Sequence, residues 1–288
     1  MIEKIYIPTF RRVDNQTALS KIPNVHKDKV ILVIQEQEKH LYKYDVEYLI
    51  VDNNIGLTKT KEIIYRHAGK KRYGMIDDDV IWYRRNSKYY GKDSNMDKAK
   101  RECNDKDFDD MLDKINNLMN EDNVISVGHR ESGFPPSNIT KNSFITGAFW
   151  IDGEKLSNII DKVDWNEFYI MQDIAFNFEV LLHGYATRKM GEFCMAHAYN
   201  SNASGGCSTY RTEEMRKDVV QRLLDKWNHL DIVKKMEDVK KPSASYWKWA
   251  EREEKRTNKK VVGLHFNFQK AYKIGQMKKQ SNLEKFMT

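Results

Sequence analysis

Three consecutive carboxylates, Asp77, Asp78 and Asp79, directly follow the apolar run at residues 73–76. Adjacent carboxylates repel one another unless a cation or hydrogen-bond donors neutralise them. Mg²⁺ and Mn²⁺ take oxygen ligands and commonly bridge one or two carboxylates to substrate phosphates. Because Asp77 and Asp79 share one face of an extended segment, we expect these two to hold a divalent metal together with a diphosphate. The alternative is a solvated acidic turn that caps the next segment.

A second candidate phosphate site lies at Gly56, where the helix predicted at residues 57–67 begins. The N-terminus of a helix binds anions through its free backbone N–H groups and its dipole, and Lys59 and Lys61 would add positive charge there. Lysines at this position also occur simply as the solvated face of a helix. The spacing is compatible with either role.

The elements that must position these residues alternate between strand and helix. Apolar, β-branched runs predict strands, and a periodic run that stops at a glycine predicts a helix; in chain order these are residues 2–8, 30–34, 46–51, 57–67 (helix) and 73–76. This alternation predicts an α/β fold with a mostly parallel central sheet flanked by helices. Ligands of such sheets bind at the carboxyl ends of the strands, which is where the acidic triplet stands.

The rest of the chain continues this pattern and ends in a basic segment. Residues 86–106 are polar and lysine-rich, amphipathic helices are predicted at residues 108–119 and 213–230, and a strand is predicted at residues 124–127. We expect residues 1–210 to form the core. Residues 211–288 would form a basic helical extension.

Composition excludes several classes of protein. The chain has 288 residues, of which 40% are hydrophobic and 32% charged, so it is globular rather than disordered. Its three cysteines have no paired spacing, which argues against a disulfide framework or a cysteine zinc site. No apolar stretch has the length of a membrane span or a signal peptide, so we expect no membrane partner and a cytoplasmic location, in a host cell if the protein is viral.

Several motifs, taken in order, resemble the nucleotide-binding half of a GT-A glycosyltransferase. They are Pro8-Thr9 after the first strand, Val51-Asp52-Asn53 after the third, and the strand that ends in three aspartates. The resemblance implies a GT-A-like fold, with residues 1–85 as the nucleotide-binding half of the core and residues 120–210 as its acceptor half. It also implies a nucleotide-sugar donor, with a UDP-sugar as the expectation, and a DxD motif at Asp77 and Asp79 that coordinates Mn or Mg. It places the donor contacts at Thr9, Arg11, Gln35, Asp52, Lys61 and Asp78.

A more specific resemblance is to the TET-associated glycosyltransferases of bacteriophages. It rests on I-P-T-x-x-R at residues 7–12, V-D-N-x-x-G-L-T-K-T-K at residues 51–61, D-D-D-V at residues 77–80 and the glycine-containing loop at residues 200–211. In that loop, Gly205, Gly206, Ser208 and Arg211 would close on the diphosphate. Enzymes of this kind are similar to those that add a sugar to hydroxymethylated pyrimidines in DNA.

The same resemblance implies roles for residues later in the chain. Residues 146–150 resemble the strand that lines the acceptor side of the sugar pocket, which makes Gly147 and Trp150 acceptor contacts. Met171-Gln172-Asp173 resembles the element that supplies the catalytic base in inverting members, where a carboxylate takes the proton of the acceptor hydroxyl. His197 corresponds to a third metal ligand. On residue type alone, Asp173 is equally compatible with a helix cap and His197 with a structural histidine.

The net charge of +7 is concentrated in the C-terminal segment. Residues 211–288 carry 20 Lys and Arg against 11 Asp and Glu, whereas residues 1–210 carry 29 against 31. Cationic side chains interleaved with aromatic ones are what a double-stranded DNA acceptor requires, because phosphate contacts dominate affinity and aromatic faces stack on bases. The expected DNA contacts are Trp247, Lys255, Arg256, Lys259 and Lys260.

The leading hypothesis is a metal-dependent glycosyltransferase that moves a sugar from a nucleoside diphosphate to 5-hydroxymethylcytosine, or a related hydroxymethylpyrimidine, in DNA. One alternative keeps the fold and changes the acceptor to a glycan, a lipid or a protein. Others, from different classes, are a Mg-dependent nucleic-acid-binding or nuclease-like protein and a catalytically silent nucleotide-binding adaptor. The sugar, the donor base, the stereochemical outcome and the oligomeric state stay open.

Overall fold

The structure is a computed structural model that describes residues 1–86, 100–134, 138–198, 205–206, 211–239 and 263–287. Within these residues the chain forms a ten-stranded central sheet with helices on both faces and a separate two-stranded ribbon. The strands of the central sheet are β1 (Ile2–Pro8), β2 (Val30–Gln35), β3 (Glu47–Val51), β4 (Arg72–Ile76), β5 (Val80–Arg85), β6 (Lys100–Glu102), β7 (Val124–Glu131), β8 (Thr140–Lys141), β9 (Ala148–Asp152) and β10 (Ala186–His197). Their spatial order is β3-β2-β1-β4-β9-β7-β10-β5-β6, and β8 pairs with β10.

The helices that cover this sheet include those predicted at residues 57–67, 108–119 and 213–230. In chain order, the helices are α1 (Thr17–Lys21), α2 (Gly56–Ala68), α3 (Asp105–Met119), α4 (Gly153–Ser157), α5 (Gln172–Leu182), α6 (Glu213–Trp227) and α7 (Phe268–Met287). Helix α2 ends at Gly69, whose φ of 58° a glycine adopts without steric cost. Helix α3 begins with a capping box in which Asn104 and Asp107 satisfy each other's backbone N–H groups.

The first half of the sheet is parallel. Strand β1 pairs in parallel with β2 and with β4, and β2 pairs in parallel with β3. Strand β2 (VILVIQ) is buried along its whole length, as expected for a strand covered on both faces. The α/β class with a large central sheet flanked by helices is therefore confirmed.

The second half of the sheet mixes directions and brings distant segments to the acidic triplet. Strand β9 lies between β4 and β7 and runs antiparallel to both. Strand β10 pairs in parallel with β7 and antiparallel with β5. Strand β5, which follows β4 in the chain, is therefore separated from β4 in the sheet by β9, β7 and β10. The triplet connects β4 to β5, and the end of β10 and the start of β9 meet it there.

Two hydrophobic clusters fill the space between the sheet and its helices. One contains Phe149, Phe176 and Phe178 and lies under α2 and α5, and the other contains Trp82, Phe108 and Trp150 and lies under α1 and α3. Burial of each large side chain contributes about 1.5–3 kcal/mol to folding. The two clusters hold the carboxyl ends of the strands in fixed positions.

The C-terminal elements extend the first cluster. The buried ring of Trp227 on α6 packs on Phe178, with ring centroids 4.9 Å apart, and Phe178 also stacks on Phe268. The ribbon consists of β11 (Val233–Lys235) and β12 (Leu264–Phe266). Helix α7 crosses α5 so closely that a Cβ at Gly275 would lie 2.1 Å from the carbonyl oxygen of Leu181. Among the described helices, none has the length and apolar character needed to cross a lipid bilayer.

Candidate active site

The acidic triplet is fixed by backbone hydrogen bonds from three directions. The N–H of Asp77 donates to the carbonyl of Gly147, ahead of β9, at 2.7 Å. The N–H of Ala198, just past β10, donates to the carbonyl of Asp79 at 2.7 Å, and the N–H of Ala18 in α1 donates to that of Asp78 at 2.9 Å. The triplet is therefore a junction of the sheet rather than a solvated turn.

Asp78 points inward and is held by side chains of the β1–α1 connection. Its carboxylate accepts from the hydroxyl of Thr9 at 2.7 Å and from Nη1 of Arg12 at 2.5 Å. Thr9 in turn accepts from Nε2 of Gln16 at 2.8 Å. Burial raises the pKa of Asp78, and the contacts with Thr9 and Arg12 oppose that shift. Only 5% of Asp78 is exposed, so its function here is to anchor the loop after β1.

Asp79 faces two cationic groups. Its Oδ1 lies 2.8 Å from Nδ1 of His197, and its Oδ2 lies 3.5 Å from Nη1 of Arg12. The hydrogen bond to Asp79 raises the pKa of His197 to about 9. The imidazole fits only because residue 147 is glycine: a Cβ there would lie 2.8 Å from Cε1 of His197, and φ at Gly147 is 70°.

Asp77 lies between these groups and a second carboxylate, Asp173. Burial raises the pKa of the Asp77 carboxyl well above its ordinary range, and the charges of Asp173 and Asp79 raise it further, while Lys61 and His197 oppose the shift. A carboxyl in this environment gains from any additional positive charge that approaches it. A cation bound at this corner would therefore stabilise the ionised form of Asp77.

Asp173 stands in the first turn of α5, and both of its oxygens are occupied. Oδ1 accepts from Nζ of Lys61 at 2.5 Å, and Oδ2 accepts from the hydroxyl of Thr146 at 2.9 Å. Lys61 is itself 4% exposed and lies 5.4 Å from the ring centroid of Phe149. The carboxylate is thus held in one orientation by a buried ammonium from α2 and by the residue next to Gly147.

The chemistry of the donor set fits a divalent ion that is shared with a ligand. The carboxylates of Asp77 and Asp79 are ligand types that Mg²⁺ and Mn²⁺ accept, whereas Nδ1 of His197 is hydrogen-bonded to Asp79. Among the described residues, however, no group of three or more His, Cys, Asp or Glu side chains is arranged to hold a metal by itself. The described residues therefore do not form a metal site of protein ligands alone, and a metal bound here would need further ligands such as phosphate oxygens.

A comparison with known protein families identifies the chain. The model of the family described as TET-Associated Glycosyltransferase matches residues 3–206, which include the triplet, Asp173 and His197. The chain belongs to the TET-associated glycosyltransferase family. This glycosyltransferase has no match among curated proteins.

Two solved structures resemble this glycosyltransferase at low sequence identity. A197 from STIV is 13% identical and aligns over 69% of this chain and 87% of its own, with a TM-score of 0.38. The S. aureus TarS 1-349 fragment in complex with UDP is 11% identical, with a TM-score of 0.43, and the alignment covers 78% of this chain. The chain spans 66% of the length of that TarS fragment.

The glycosyltransferase fold brings together most of the predicted metal and base residues, and the predicted donor residues up to Asp78 lie at or just after the ends of β1, β2, β3 and β4 and on α2. Asp77, Asp79, His197, Gly147 and Asp173 meet at one corner. Gln35 ends β2, and its Oε1 accepts from the N–H of Asn54 at 2.9 Å, while Asp52 is exposed at the end of β3. The backbone of Arg11 has a φ of 55° and donates to Glu38 at 2.9 Å.

The two predicted loop glycines pack on the loop after β1. The N–H of Gly206 donates to the carbonyl of Phe10 at 2.8 Å, and a Cβ at Gly205 would lie 2.7 Å from the carbonyl oxygen of Arg11. Arg211 is exposed before α6. The predicted residues Ser208, Trp247, Lys255, Arg256, Lys259 and Lys260 lie outside the described residues.

Two predicted contacts of this glycosyltransferase involve side chains that have other partners in the structure. Trp150 was expected to contact the acceptor, but it is fully buried and donates from Nε1 to Nε2 of His129 at 2.8 Å. Successive side chains of a strand point to opposite faces, and Trp150 faces the α3 side while Phe149 faces α5. Asp78 was expected to contact the donor; its carboxylate accepts from Thr9 and Arg12, and the donor contact stays a prediction.

Two residues important to the site were not predicted. Arg12 is the arginine of the I-P-T-x-x-R motif, and it is the residue that joins Asp78 to Asp79. Thr146 begins the T-G-A-F-W segment, and it joins Asp173 to the triplet corner through its neighbour Gly147. The motifs contain both residues, but nothing in their spacing assigns them these partners.

Proposed function

We propose that this glycosyltransferase transfers a sugar from a nucleoside diphosphate sugar, with a UDP-sugar as the first donor to test, to a hydroxymethylpyrimidine such as 5-hydroxymethylcytosine in DNA. One observation supports the proposal most strongly. Thr146 donates to Asp173 while the next residue, Gly147, accepts from the N–H of Asp77. Two consecutive residues, Thr146 and Gly147, thus link the candidate base Asp173 to the candidate diphosphate site at Asp77.

The donor side of the reaction belongs to the triplet corner. Asp77 and Asp79, with His197 as the third group, would hold a Mn or Mg ion that neutralises the diphosphate as it departs. Arg12 sits against Asp79 and adds a permanent positive charge on the same side. The exposed end of β3 at Asp52 and the carboxyl end of β2 at Gln35 lie where a nucleotide would extend along the edge of the parallel strands.

The acceptor side belongs to Asp173. Each carboxylate oxygen has two lone pairs, so the hydrogen bonds from Lys61 and Thr146 leave Asp173 able to accept the acceptor hydroxyl as well. Asp173 takes the hydroxyl proton as the acceptor oxygen bonds to the anomeric carbon. The bond from that carbon to the diphosphate oxygen breaks, and its electron pair leaves with the nucleoside diphosphate. If configuration is retained, Asp173 would instead position the acceptor or stabilise an oxocarbenium-like state.

DNA is the acceptor that the family and the charge distribution favour. The family is described as TET-associated. Residues 211–288 carry an excess of nine positive charges, whereas residues 1–210 carry an excess of two negative ones. Affinity for duplex DNA comes mainly from phosphate contacts by Lys and Arg, so the basic segment is suited to this acceptor.

The test is transfer measured by mass spectrometry. The protein is incubated with Mn²⁺, a panel of UDP-sugars and duplex DNA with or without 5-hydroxymethylcytosine, alongside an Asp79→Asn variant and an Asp28→Asn control on the exposed surface. We expect a sugar mass on the hydroxymethylated duplex only, no product with Asp79→Asn, and normal product with Asp28→Asn. Donor hydrolysis without labelled DNA would contradict the DNA acceptor, and normal turnover by Asp79→Asn would contradict the metal assignment.

A further inference from the structure

A groove of about 540 Å³ lies at the end of α5 that is remote from Asp173. The turn at Ile160–Lys162, the C-terminal end of α5, α6 and α7 surround it. Its apolar lining includes Leu182, Trp227 and Leu230. Three exposed lysines, Lys162, Lys278 and Lys279, also line it, and we call this feature the lysine groove.

The charge of the lysine groove is unbalanced. Among the described residues that line it, the one carboxylate is Glu179, and Nζ of Lys226 pairs with that carboxylate at 2.7 Å. Within the described part of the chain, Lys162 and Lys278 have no carboxylate within ion-pair distance. Lys279 contacts neutral groups, with Nζ 3.4 Å from Oδ1 of Asn123 and 5.7 Å from the ring centroid of Tyr185. Three positive charges therefore face solvent around one concave surface.

The position of the charges favours an extended polyanion over a small phosphate compound. A small ligand is usually fixed by a few buried polar groups in its pocket. Here the lysines are exposed and the apolar side chains form the floor, so the positive charge lies where a phosphate backbone would pass. Leu182 is nine residues after Asp173 on one helix, which corresponds to a rise of about 14 Å. That distance is about four base-pair steps of duplex DNA.

We propose that the lysine groove binds the phosphate backbone of the DNA acceptor a few base pairs from the target base. The identity of the partner rests on the proposed function. The groove adds a binding surface within the described residues that is separate from the basic residues predicted further along the chain. Helix α5 would then carry a reacting group at its N-terminal end and border a DNA contact at its C-terminal end.

The experiment compares two triple variants that lose the same charge. Lys162→Gln, Lys278→Gln and Lys279→Gln remove the groove lysines, whereas Lys43→Gln, Lys71→Gln and Lys106→Gln remove three exposed lysines elsewhere. Binding to a short duplex is measured by fluorescence anisotropy over a range of salt concentrations, without donor. We expect the groove variant to lose affinity and its log–log salt slope to fall by about two to three, since each phosphate contact contributes about 0.9. We expect the control variant to keep the wild-type slope.

Two results would overturn the proposal. Equal losses in both triple variants would mean that overall charge, not the groove, binds DNA. An unchanged slope in the groove variant, with calorimetric binding of inorganic phosphate that only the wild type and the control variant show, would assign the groove to a small phosphate ligand. The binding assay contains no donor, so its outcome is independent of the transfer assay. A fall in slope in the groove variant, together with no sugar transfer by the wild type in the transfer assay, would sustain the groove and reject the proposed reaction. Transfer with no fall in slope would do the reverse.

Discussion

The two ends of α5 differ in how their charges are compensated. At the N-terminal end, Asp173 is held by Lys61 and Thr146, and the neighbouring triplet carboxylates face Arg12 and His197. At the C-terminal end, the lysine groove presents Lys162 and Lys278 to solvent with no carboxylate partner among the described residues. A charge with a fixed partner keeps its orientation, whereas a charge without one is available to a ligand. The first end is therefore suited to chemistry and the second to binding.

At the N-terminal end of α5, the substitution Asp173→Asn is expected to have the largest effect on sugar transfer. The amide keeps the shape of the side chain but cannot take the acceptor proton, so transfer at saturating donor should fall about 10²–10⁴-fold. Product formation on hydroxymethylated duplex measures this directly, with Asp28→Asn as the control. A variant that transfers sugar at the wild-type rate would remove Asp173 from the reaction.

The pair of Asp78 and Arg12 should contribute mainly to stability. Both side chains are largely buried, so Asp78→Asn leaves the guanidinium of Arg12 without one of its two carboxylate partners. Breaking a buried ion pair costs about 3 kcal/mol of unfolding free energy. Urea unfolding of the variant, compared with Asp28→Asn on the surface, gives the value. A loss below about 0.5 kcal/mol, the range of ordinary surface substitutions, would show that Asp78 does not anchor the loop after β1.

Lys61→Met distinguishes a positioning role from donor binding. The sequence motif predicts that Lys61 contacts the donor, whereas the structure places its Nζ on Asp173. If Lys61 positions Asp173, kcat should fall about tenfold, corresponding to about 1.4 kcal/mol of transition-state stabilisation, while the donor KM stays constant. Steady-state kinetics with Lys61→Arg as the conservative variant should show partial recovery of kcat. A raised donor KM with unchanged kcat would support the donor contact instead.

The smallest effect on stability is expected at His129. Its hydrogen-bond partners are neutral, whereas His197 is hydrogen-bonded to a carboxylate. His129 accepts from Nε1 of Trp150, and its Nδ1 lies 3.0 Å from the carbonyl oxygen of Phe193. Burial lowers the pKa of His129 to about 4. The unfolded chain, with a histidine pKa near 6.5, then binds more protons than the folded chain between these values, so stability falls as the pH drops through this window.

We expect the titration of His129 to lower the free energy of unfolding by about 1 kcal/mol when the pH falls from 6.5 to 5.5. His129→Gln retains one donor and one acceptor but cannot titrate. The difference between wild type and this variant in urea unfolding at the two pH values isolates the contribution of His129. Identical pH dependence in the two proteins would show that the imidazole is not buried in the neutral form.

The parallel half of the fold could be predicted from the sequence because its signals are local. The runs at β1, β2 and β3 contain several β-branched residues, and α2 is periodic and stops at Gly69. The triplet could be placed at the end of a strand for the same reason. Each of these inferences requires only neighbours in the sequence.

Local sequence patterns could not predict the partners within the site because these residues are distant in sequence; only the family resemblance placed His197 near Asp77 and Asp79. Lys61 and Asp173 are 112 residues apart, and Asp79 and His197 are 118 residues apart. Their meeting depends on β9 inserting between β4 and β7, a pairing that no local pattern specifies. The burial of Trp150 could not be predicted because alternation along a strand shows which side chains share a face but not which face meets the pocket.

The most direct test of the central claim is to measure donor affinity and transfer rate together for Asp79→Asn and Asp173→Asn. The two carboxylates have different partners, and the account gives them different tasks. It predicts that Asp79→Asn loses Mn-dependent donor binding, while Asp173→Asn binds donor as the wild type does and loses transfer. Loss of donor binding in both variants, or transfer by Asp173→Asn at the wild-type rate, would contradict it.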